Sequence, residues 1–500
     1  MTPGSLVART LVTILVIAWT FPVRAEAAPL DAVPPTVRVN VTPNGVNYTV
    51  VQSTGTVTAT APDGHVLYKG LQRLVVRTNV RRAEGVAITL PPKPETLTPD
   101  ERIARRQAAR EARTAELEAR AEPAKIITIP FEISLLRSND DALGQPVVSE
   151  QKVIVVTFTT TDGVLTVNGV GFRGVLETSV DDDSGAIIVN TVETGAYLAS
   201  VIGSEEPSTW ESEALAAQAI AARTYLMTHL ARHDHYDLEG DTRDQAYNGV
   251  GTEVRTTIRA VERTSGVVAT YNGRPIEALY SANAGGVTED SESVFANALP
   301  YLRSVPSPGD EIAKNSSFGR TSWEWDREFT APLLADYMRL RGLDVGTPMK
   351  IEVLGKTPSG RPLLTRVTGT TGSKDLTMER ARYYFGLKSN FFTPVQLPAQ
   401  TEWVSPRDTV RQRDMDVLGA TRVSQNWDFT FDETGRRKGI VITEILYQLP
   451  ARFDFVGKGF GHSVGMSQWG AQGMALGGAN YEQILKHYYT GIQLTNVGGA

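Results

Sequence analysis

Cysteine is absent from this chain of 500 residues. A protein without cysteine forms no disulfide bonds, performs no thiolate chemistry and holds no metal through sulfur. Its folded state must therefore depend on an apolar core. A chain of 500 residues, of which 41% are hydrophobic, is long enough to build such a core in two or more domains.

An excess of basic residues is also absent. The chain has 50 Lys and Arg against 56 Asp and Glu, which gives a formal net charge of -6. Without a broad positive field, the protein is not expected to bind nucleic acid. A neutral or weakly charged ligand fits this composition better.

The N-terminal apolar run is too short to be an ordinary membrane-spanning helix. It extends from Leu11 to Val23, is interrupted by Pro22, and falls short of the ~20 residues that cross a bilayer. Arg9 precedes it, and Ala25-Glu26-Ala27 has the small-x-small form found before a cleavage point. We interpret residues 1–27 as a cleaved signal peptide, with a retained membrane anchor as the alternative. Both interpretations predict an exported protein of the periplasm, cell wall or extracellular space, and cleavage would leave no integral membrane segment.

Composition and turn signals divide the remaining chain into segments, and the predicted fold class is α+β. β-branched runs separated by Asn44-Gly45 and Asp63-Gly64 indicate strands joined by tight turns. An Arg-, Glu- and Ala-rich stretch with hardly any apolar stripe indicates a solvated helical connector. The predicted segments are a β-rich N-terminal region (28–91), the connector (92–123), a β-meander with a catalytic core (124–310), a mixed α/β insertion (311–450), and a glycine-rich loop with a short helix completing the core (451–500).

Local patterns also predict individual elements. Ser208-Thr209-Trp210-Glu211 has the spacing of a capping box, so a helix is expected to begin just after Pro207 and to run to about His229. Asn272-Gly273 predicts a hairpin, and residues 331–341 predict a helix.

Two adjacent carboxylates, Glu205 and Glu206, precede Pro207 at a break between two apolar helical segments. Such a break can hold an acid half-desolvated, with its pKa raised towards neutrality, as a proton donor for glycosidic bond cleavage requires. Adjacent helical residues point about 100° apart, so only one of the pair is expected to face a cleft. From these residues alone, two surface carboxylates at a helix end are the alternative.

The segment from Tyr197 to Pro207, continued by Trp210 and by Glu213 to Tyr225, resembles the signature of the SpoIID/LytB family. That family comprises stage II sporulation protein D and amidase-enhancer relatives. Glu205 falls on the family's catalytic glutamate, and Glu206 falls where methionine is usual. The resemblance therefore predicts that Glu206 faces away from the site.

Further segments resemble the family in its order along the chain, from about Asn190 to Leu494. Their ordered combination is more specific than any single match. They are Asp244 to Gly249, Gly285 to Glu289, Ser359 to Arg361, Gly386 to Phe392, and Gly457 to Ala471.

The resemblance implies a lytic transglycosylase that cleaves peptidoglycan glycan strands after N-acetylmuramic acid, or a wall-binding helper of a cell-wall amidase. In the first case Glu205 protonates the leaving oxygen and then takes the proton of the sugar's own C6 hydroxyl as an anhydro ring closes. One carboxylate suffices for this route, unlike the pair of an ordinary glycosidase.

No cofactor and no metal are expected. Some family members carry cysteines that could hold zinc, and this chain has Gly240, Asp244 and Ala284 at those positions. His229 and His233 are four residues apart, but Leu230 stands where a zincin has glutamate.

Several residues of these segments are candidates for binding substrate. His462, Ser467 and Gln468 either donate hydrogen bonds to sugar hydroxyl and acetamido groups or belong to a tightly packed glycine-rich turn. Arg223 either orients Glu205 or binds substrate, or is a buried arginine paired with a structural carboxylate. The full candidate set is Arg223, Gln245, Tyr247, Gly285, Gly286, His462, Ser467 and Gln468.

Overall fold

A computed structural model describes residues 32–45, 48–70, 74–79, 132–137, 155–181, 185–230, 233, 235–295 and 297–499. The predicted signal peptide and the charged connector lie outside these residues. The structure is 27% helical and 38% strand, which confirms the α+β class with a β-rich N-terminal region. No helix within these ranges combines the length and the apolarity needed to cross a membrane.

The helices of the described residues are numbered in chain order. The α-helices are α1 (Thr194–Glu205), α2 (Ser212–His229), α3 (Arg255–Arg263), α4 (Ser291–Val294), α5 (Arg320–Trp323), α6 (Ala331–Arg339), α7 (Met378–Phe385), α8 (Thr409–Val417), α9 (Gln468–Leu476) and α10 (Tyr481–Tyr488). Two 3₁₀ helices span Gly249–Thr252 and Pro308–Asn315.

The strands of the N-terminal half are β1 (Thr36–Asn40), β2 (Tyr48–Gln52), β3 (Val57–Thr60), β4 (Val66–Gly70), β5 (Leu74–Asn79), β6 (Glu132–Arg137), β7 (Thr157–Thr160), β8 (Val164–Val167), β9 (Val170–Arg173), β10 (Val175–Asp181), β11 (Gly185–Glu193) and β12 (Leu238–Glu239). The later strands are β13 (Val267–Tyr271), β14 (Arg274–Pro275), β15 (Tyr280–Ser281), β16 (Glu324–Thr330), β17 (Pro348–Lys356), β18 (Pro362–Gly369), β19 (Ser373–Thr377), β20 (Phe391–Leu397), β21 (Gln400–Val404), β22 (Thr421–Phe431), β23 (Arg437–Leu449), β24 (Arg452–Lys458), β25 (Met466–Ser467) and β26 (Gln493–Asn496).

Two sheets of the N-terminal half share one core. One has the order β12-β1-β11-β10-β7-β3-β4 and the other β6-β5-β2-β8-β9, so strands from before residue 80 pair with strands from beyond residue 155 in both. Alternating side chains of β1, such as Val37 and Val39, are fully buried in this core. Tyr197 and Leu198 of α1 pack into the same cluster, which ties α1 to the sheets.

Helix α2 is buried on several faces. Leu215, Ala219 and Ala222 join the core of the two sheets, whereas Ala214 and Ala217 face a second cluster formed with β13, α9 and α10. Small alanine side chains allow these elements to approach closely. Helix α2 therefore connects the β-rich half to the C-terminal helices.

The predicted capping box is wrong, because α2 begins at Ser212 and not next to Pro207. Residues 207–210 form a turn in which the Trp210 N–H donates to the Pro207 carbonyl at 3.0 Å. The N-cap residue is Glu211, whose side chain caps nothing, and its own N–H donates to the Gln472 side chain at 2.9 Å. The partner for the helix start comes from α9, a source that local spacing cannot reveal.

Residues from about 320 to 460 form smaller sheets. Strands β16, β24 and β20 make one sheet, β17 to β19 a second, and α6 and α7 pack with them around Phe385 and Phe455. Strands β21, β23 and β22 form a third sheet, covered at one end by Met415 of α8.

Two local predictions are confirmed in these later regions. Helix α6 spans Ala331–Arg339 within the predicted 331–341. Asn272 and Gly273, at φ 50° and 73°, form the turn between β13 and β14, as the Asn-Gly pair predicts.

Candidate functional site

Glu205 is the last residue of α1 and is half-buried. The Ala246 N–H donates to its Oε1 at 3.0 Å, and the Gln468 side-chain amide donates to its Oε2 at 3.3 Å. Burial raises the pKa of Glu205, and these two hydrogen bonds oppose the rise because they favour the charged form. The carboxyl therefore loses its proton at a higher pH than an ordinary glutamate does.

Close packing fixes the end of α1. Ser200 donates from its hydroxyl to the Gly249 carbonyl at 2.9 Å, which joins α1 to the first 3₁₀ helix. A Cβ at Gly203 would lie 2.1 Å from the Thr252 carbonyl oxygen, so only glycine allows this approach. The carboxyl of Glu205 is thereby carried on a rigid element.

Gln245 lies directly behind the acid in a buried hydrogen-bond path. The Tyr197 hydroxyl donates to Gln245 Oε1 at 3.0 Å, and Gln245 Nε2 donates to the Tyr280 hydroxyl at 3.0 Å. Gln245 precedes Ala246, so these bonds fix the backbone N–H that holds Glu205. Gln245 is fully buried and therefore positions the acid in this structure instead of presenting itself to a ligand.

Tyr280 is a residue that the sequence reasoning missed. Burial, and then the negative charge of Glu205, raise the pKa of the Tyr280 hydroxyl well above its usual value. Its oxygen already accepts from Gln245, so its own O–H is oriented by that bond. No local pattern distinguishes this tyrosine, since its position next to Glu205 arises from the pairing of β15 with β25.

Glu206 lies in the core. Only 3% of it is exposed, and among the described residues neither carboxyl oxygen has a hydrogen-bond partner. Burial, followed by the charge of Glu205, raises the pKa of Glu206 well above its usual range. The alternative of two surface carboxylates is therefore wrong for Glu206, and its burial beside Glu205 favours the protonated form.

Ser467 and Gln468 begin α9 where β25 pairs in parallel with β15. The Ser467 hydroxyl is the N-cap of α9, accepting from the Gly470 N–H, and it also accepts from the Ala284 N–H at 3.1 Å. Gln468 is the first residue of the helix and donates to Glu205. Of the candidate substrate-binding set, Gln468 is thus in direct contact with the candidate acid.

Gly285 and Gly286 form a left-handed turn, at φ 70° and 99°. A Cβ on Gly285 would lie 3.1 Å from Lys458, and the Gly286 N–H donates to Asp310 Oδ2 at 3.0 Å. Both observations favour a backbone role, in which the glycines allow the loop to pack against the chain near Lys458.

A fully buried ion pair joins Arg361, the residue before β18, to the segment that follows this loop. Glu289 and Arg361 lie 3.8 Å apart, and both are 0% exposed. Arg361 also donates to the carbonyl of Val287 at 2.6 Å and to Asn390 Oδ1 at 3.1 Å. Asn390 in turn donates to the His462 carbonyl at 3.1 Å. Four of the segments that resemble the family, those that contain Glu289, Arg361, Asn390 and His462, therefore meet around one buried network.

His462 is half-buried beside that network. Its Nδ1 accepts from the Val464 N–H at 3.0 Å, and its ring lies edge-on to Phe295 at 5.5 Å. Burial, and then the charge of Arg382, lower the pKa of His462 to about 4. The imidazole is therefore neutral at physiological pH and available for neutral hydrogen bonding only.

Arg223 and Tyr247 lie in the core, which does not support a substrate-binding role for them. Arg223 is fully buried and donates to Thr264 and to the carbonyl of Val267, both at 3.2 Å, tying α2 to α3 and β13. The Tyr247 hydroxyl donates to Asn190 Oδ1 at 2.8 Å. Both side chains therefore make buried hydrogen bonds that stabilise the fold.

The histidines at the end of α2 have local partners. His229 stacks on Tyr225 with ring centroids 3.7 Å apart and lies 3.6 Å from Glu277, and His233 stacks on Tyr236 at 4.2 Å. In the part of the chain that the structure describes, no three His, Asp or Glu residues are grouped as a metal site.

Comparison with known proteins finds a matching family model and several relatives. Residues 182–271, which include Glu205 and Gln245, match the family model described as SpoIID, stage II sporulation protein. Stage II sporulation protein D of Bacillus subtilis is 27% identical over 325 residues, covering 61% of this chain and 76% of that protein. An uncharacterized protein of Brachyspira hyodysenteriae is 28% identical over 344 residues, covering 68% of this chain and 76% of its own length.

A fourth comparison links the chain to a protein with a different name. The amidase enhancer of Bacillus subtilis is 28% identical over 318 residues, covering 60% of this chain and 40% of the enhancer. These matches agree with the resemblance of the Glu205 segment and support a role related to the cell wall. Together, the family model over residues 182–271 and these relatives support the SpoIID/LytB family for this chain.

Proposed function

We propose that this protein is a lytic transglycosylase that cleaves peptidoglycan glycan strands at the bond after N-acetylmuramic acid. The observation that carries the proposal is the state of Glu205: half-buried at the end of α1, with its pKa raised by burial and each oxygen held by one donor. A general acid needs such an environment to retain its proton near neutral pH.

The reaction uses Glu205 twice. The protonated carboxyl first gives its proton to the glycosidic oxygen as the bond from that oxygen to C1 of muramic acid breaks. The resulting carboxylate then accepts the proton of the C6 hydroxyl, while that oxygen bonds to C1 and closes the 1,6-anhydro ring. Proton and charge balance without water, and Glu205 ends the cycle protonated.

The two donors on Glu205 suit the second step. After the first proton transfer the carboxylate is charged, and the Ala246 N–H and the Gln468 amide stabilise that charge. The hydrogen bond from the Tyr197 hydroxyl to Gln245, the residue before Ala246, keeps the Ala246 N–H in place. The site therefore balances burial, which favours the acid form, against donors that favour the base form.

The test is Glu205→Gln protein incubated with purified glycan strands, with anhydro-muramyl products quantified by mass spectrometry. We expect wild-type protein to release these products and the variant to lose at least a hundred-fold of the rate, in line with removal of a general acid. Glu206→Gln is the matched control, one residue away on the same chain. Undiminished release by Glu205→Gln would refute the proposal.

A second candidate function follows from the match to the amidase enhancer: wall binding that stimulates a separate N-acetylmuramoyl-L-alanine amidase. The two functions separate in one assay on bare glycan without amidase. If wild-type protein releases no anhydro products, yet wild-type and Glu205→Gln protein stimulate an added amidase equally, the enhancer function is correct. For either function we propose an exported protein that acts in the periplasm, the cell wall or outside the cell.

A further inference from the structure

We propose that Asp310 is a positioning residue that holds Gln468 against Glu205 through Ser467. The proposal rests on the proposed function of Glu205 as acid and base. Asp310 lies in the 3₁₀ helix Pro308–Asn315 and is 0% exposed. None of the segments that resemble the family includes it.

Asp310 accepts hydrogen bonds from two separate segments, one that contains Ser467 and one that contains Gly286. Its Oδ1 accepts from the Ser467 hydroxyl, and its Oδ2 accepts from the Gly286 N–H at 3.0 Å. Its own carbonyl accepts from Asn283 Nδ2 at 3.1 Å. The carboxylate therefore fixes the rotamer of Ser467 and the glycine turn at the same time.

Ser467 transmits this constraint to the acid. Because its hydroxyl proton is directed to Asp310, its oxygen lone pairs accept from the Ala284 N–H and from the Gly470 N–H at the start of α9. The N-cap so formed sets the direction of the first residue of that helix, Gln468. Gln468 then reaches Glu205 Oε2 at 3.3 Å.

Asp310 is acidic enough to perform this task at neutral pH. Burial raises the pKa of Asp310 to about 6, and hydrogen bonds from Ser467, Gly286, Ser307 and Ala284 oppose that rise. The charged or titratable groups that interact with it are Arg361 and Tyr488. Above pH 6 the carboxylate thus accepts from Ser467 on one oxygen and from Gly286 on the other, whereas an amide of the same shape has only one oxygen.

Asp310→Asn tests the inference with little change in volume. An asparagine presents one acceptor and one donor, so it satisfies either Ser467 or Gly286 in the present geometry but not both. Gln468 should then no longer donate to Glu205. Because the charged form of Glu205 loses a donor, the pKa of Glu205 should rise. We expect kcat/KM to fall roughly ten- to a hundred-fold and its high-pH limb to move to higher pH.

Two comparisons separate positioning from general destabilisation. Gln468→Leu should move the limb in the same direction, and the double variant with Asp310→Asn should add no further shift, since both act on one contact. Tyr447→Phe, which removes the 3.0 Å hydrogen bond from Arg422 Nε to the buried Tyr447 hydroxyl in the sheet of β21 to β23, should lower the melting temperature and leave the limb in place. An Asp310→Asn protein that is less stable but has an unmoved limb would overturn the inference.

A readout without turnover keeps this test independent of the proposed function. For each background, the pH dependence of unfolding is compared with that of its own Glu205→Gln partner, and the difference reports proton binding by Glu205. The inference requires this binding to extend to higher pH in Asp310→Asn than in wild-type protein. If that holds while no anhydro products form, the proposed function fails and the positioning remains; equal proton binding in the two backgrounds would refute the positioning itself.

Discussion

Glu206 is buried next to Glu205 and has no hydrogen-bond partner among the residues that the structure describes, whereas Glu205 has a donor on each of its two oxygens. The charge of Glu205 is one of the two causes that raise the pKa of Glu206, after burial. Both effects favour the protonated form of Glu206, whereas the donors on Glu205 favour its charged form. Glu206 stands where the resemblance to the SpoIID/LytB family predicts methionine.

Replacing Glu206 by methionine should stabilise the protein at neutral pH. A buried carboxyl without a partner costs about 1–3 kcal/mol, which the thioether does not. Because the folded pKa of Glu206 is raised, the cost begins near the unfolded value of 4.5 and grows as pH rises, until the folded group ionises. Thermal unfolding of wild-type and Glu206→Met protein between pH 4 and pH 8 should show a widening difference, and a constant one would contradict the assignment.

The activity should persist to higher pH than the ionisation of an ordinary glutamate allows. Glu205 must be protonated to begin the reaction, and burial raises its pKa above 4.5. The rate should therefore be high below the raised pKa and decline as pH rises through it. A profile of kcat/KM against pH on glycan strands measures this limb. Its absence in a variant without a titratable group at 205 would identify the limb with Glu205.

Two glycines of α1 should respond to alanine in opposite ways. A Cβ on Gly203 would lie 2.1 Å from the Thr252 carbonyl oxygen, whereas nothing lies within 4 Å of a Cβ on Gly195. Gly203→Ala should therefore cost about 1–3 kcal/mol and displace Glu205, lowering turnover. Gly195→Ala should gain up to about 1 kcal/mol from helix propensity. Chemical denaturation and the glycan assay check both, and equal behaviour of the two variants would show that α1 is not held by this contact.

Phe318 should contribute to binding of long glycan strands. Its ring is 61% exposed and packs 5.4 Å from Trp469, the residue after Gln468, while Trp469 contacts Trp210 at 4.8 Å. An exposed aromatic face beside the site can stack on a sugar ring, and its loss should raise KM about three- to tenfold with kcat unchanged.

Phe431→Ala is the matched control for that substitution, because Phe431 is also 61% exposed but lies on β22. It should leave KM as it is. A rise in KM for Phe318→Ala on short oligosaccharides as large as on strands would argue against an extended contact.

Local patterns predicted local elements well. Asn272-Gly273 and helix α6 are found where the turn chemistry and the periodicity indicate. The start of α2 was predicted wrongly, because Glu211 receives its partner from Gln472, 261 residues away in sequence. Spacing rules describe contacts within one turn of chain and cannot anticipate a partner supplied by packing.

Local sequence patterns were equally limited in predicting the candidate site. The carboxylate pair was recognisable as candidate chemistry, but the burial of Glu206 depends on how α1 packs. Asp310 and Tyr280 carry no signature of their own, since each gains its place through β15 and β25. Arg223, a candidate because of its position in the segment, is fully buried and joins α2 to Thr264 and to β13.

The hydrogen bond from the Gln468 side-chain amide to the Glu205 carboxylate joins residues that are 263 positions apart in the sequence. When the chain folds, α1 can form from local contacts before α9 has packed against it, and until then Glu205 lacks one of its two donors. Closing so long a loop is slow compared with forming local helices. The packing of β25 and α9 should therefore be a late folding step, and it is the step that brings Gln468 to Glu205.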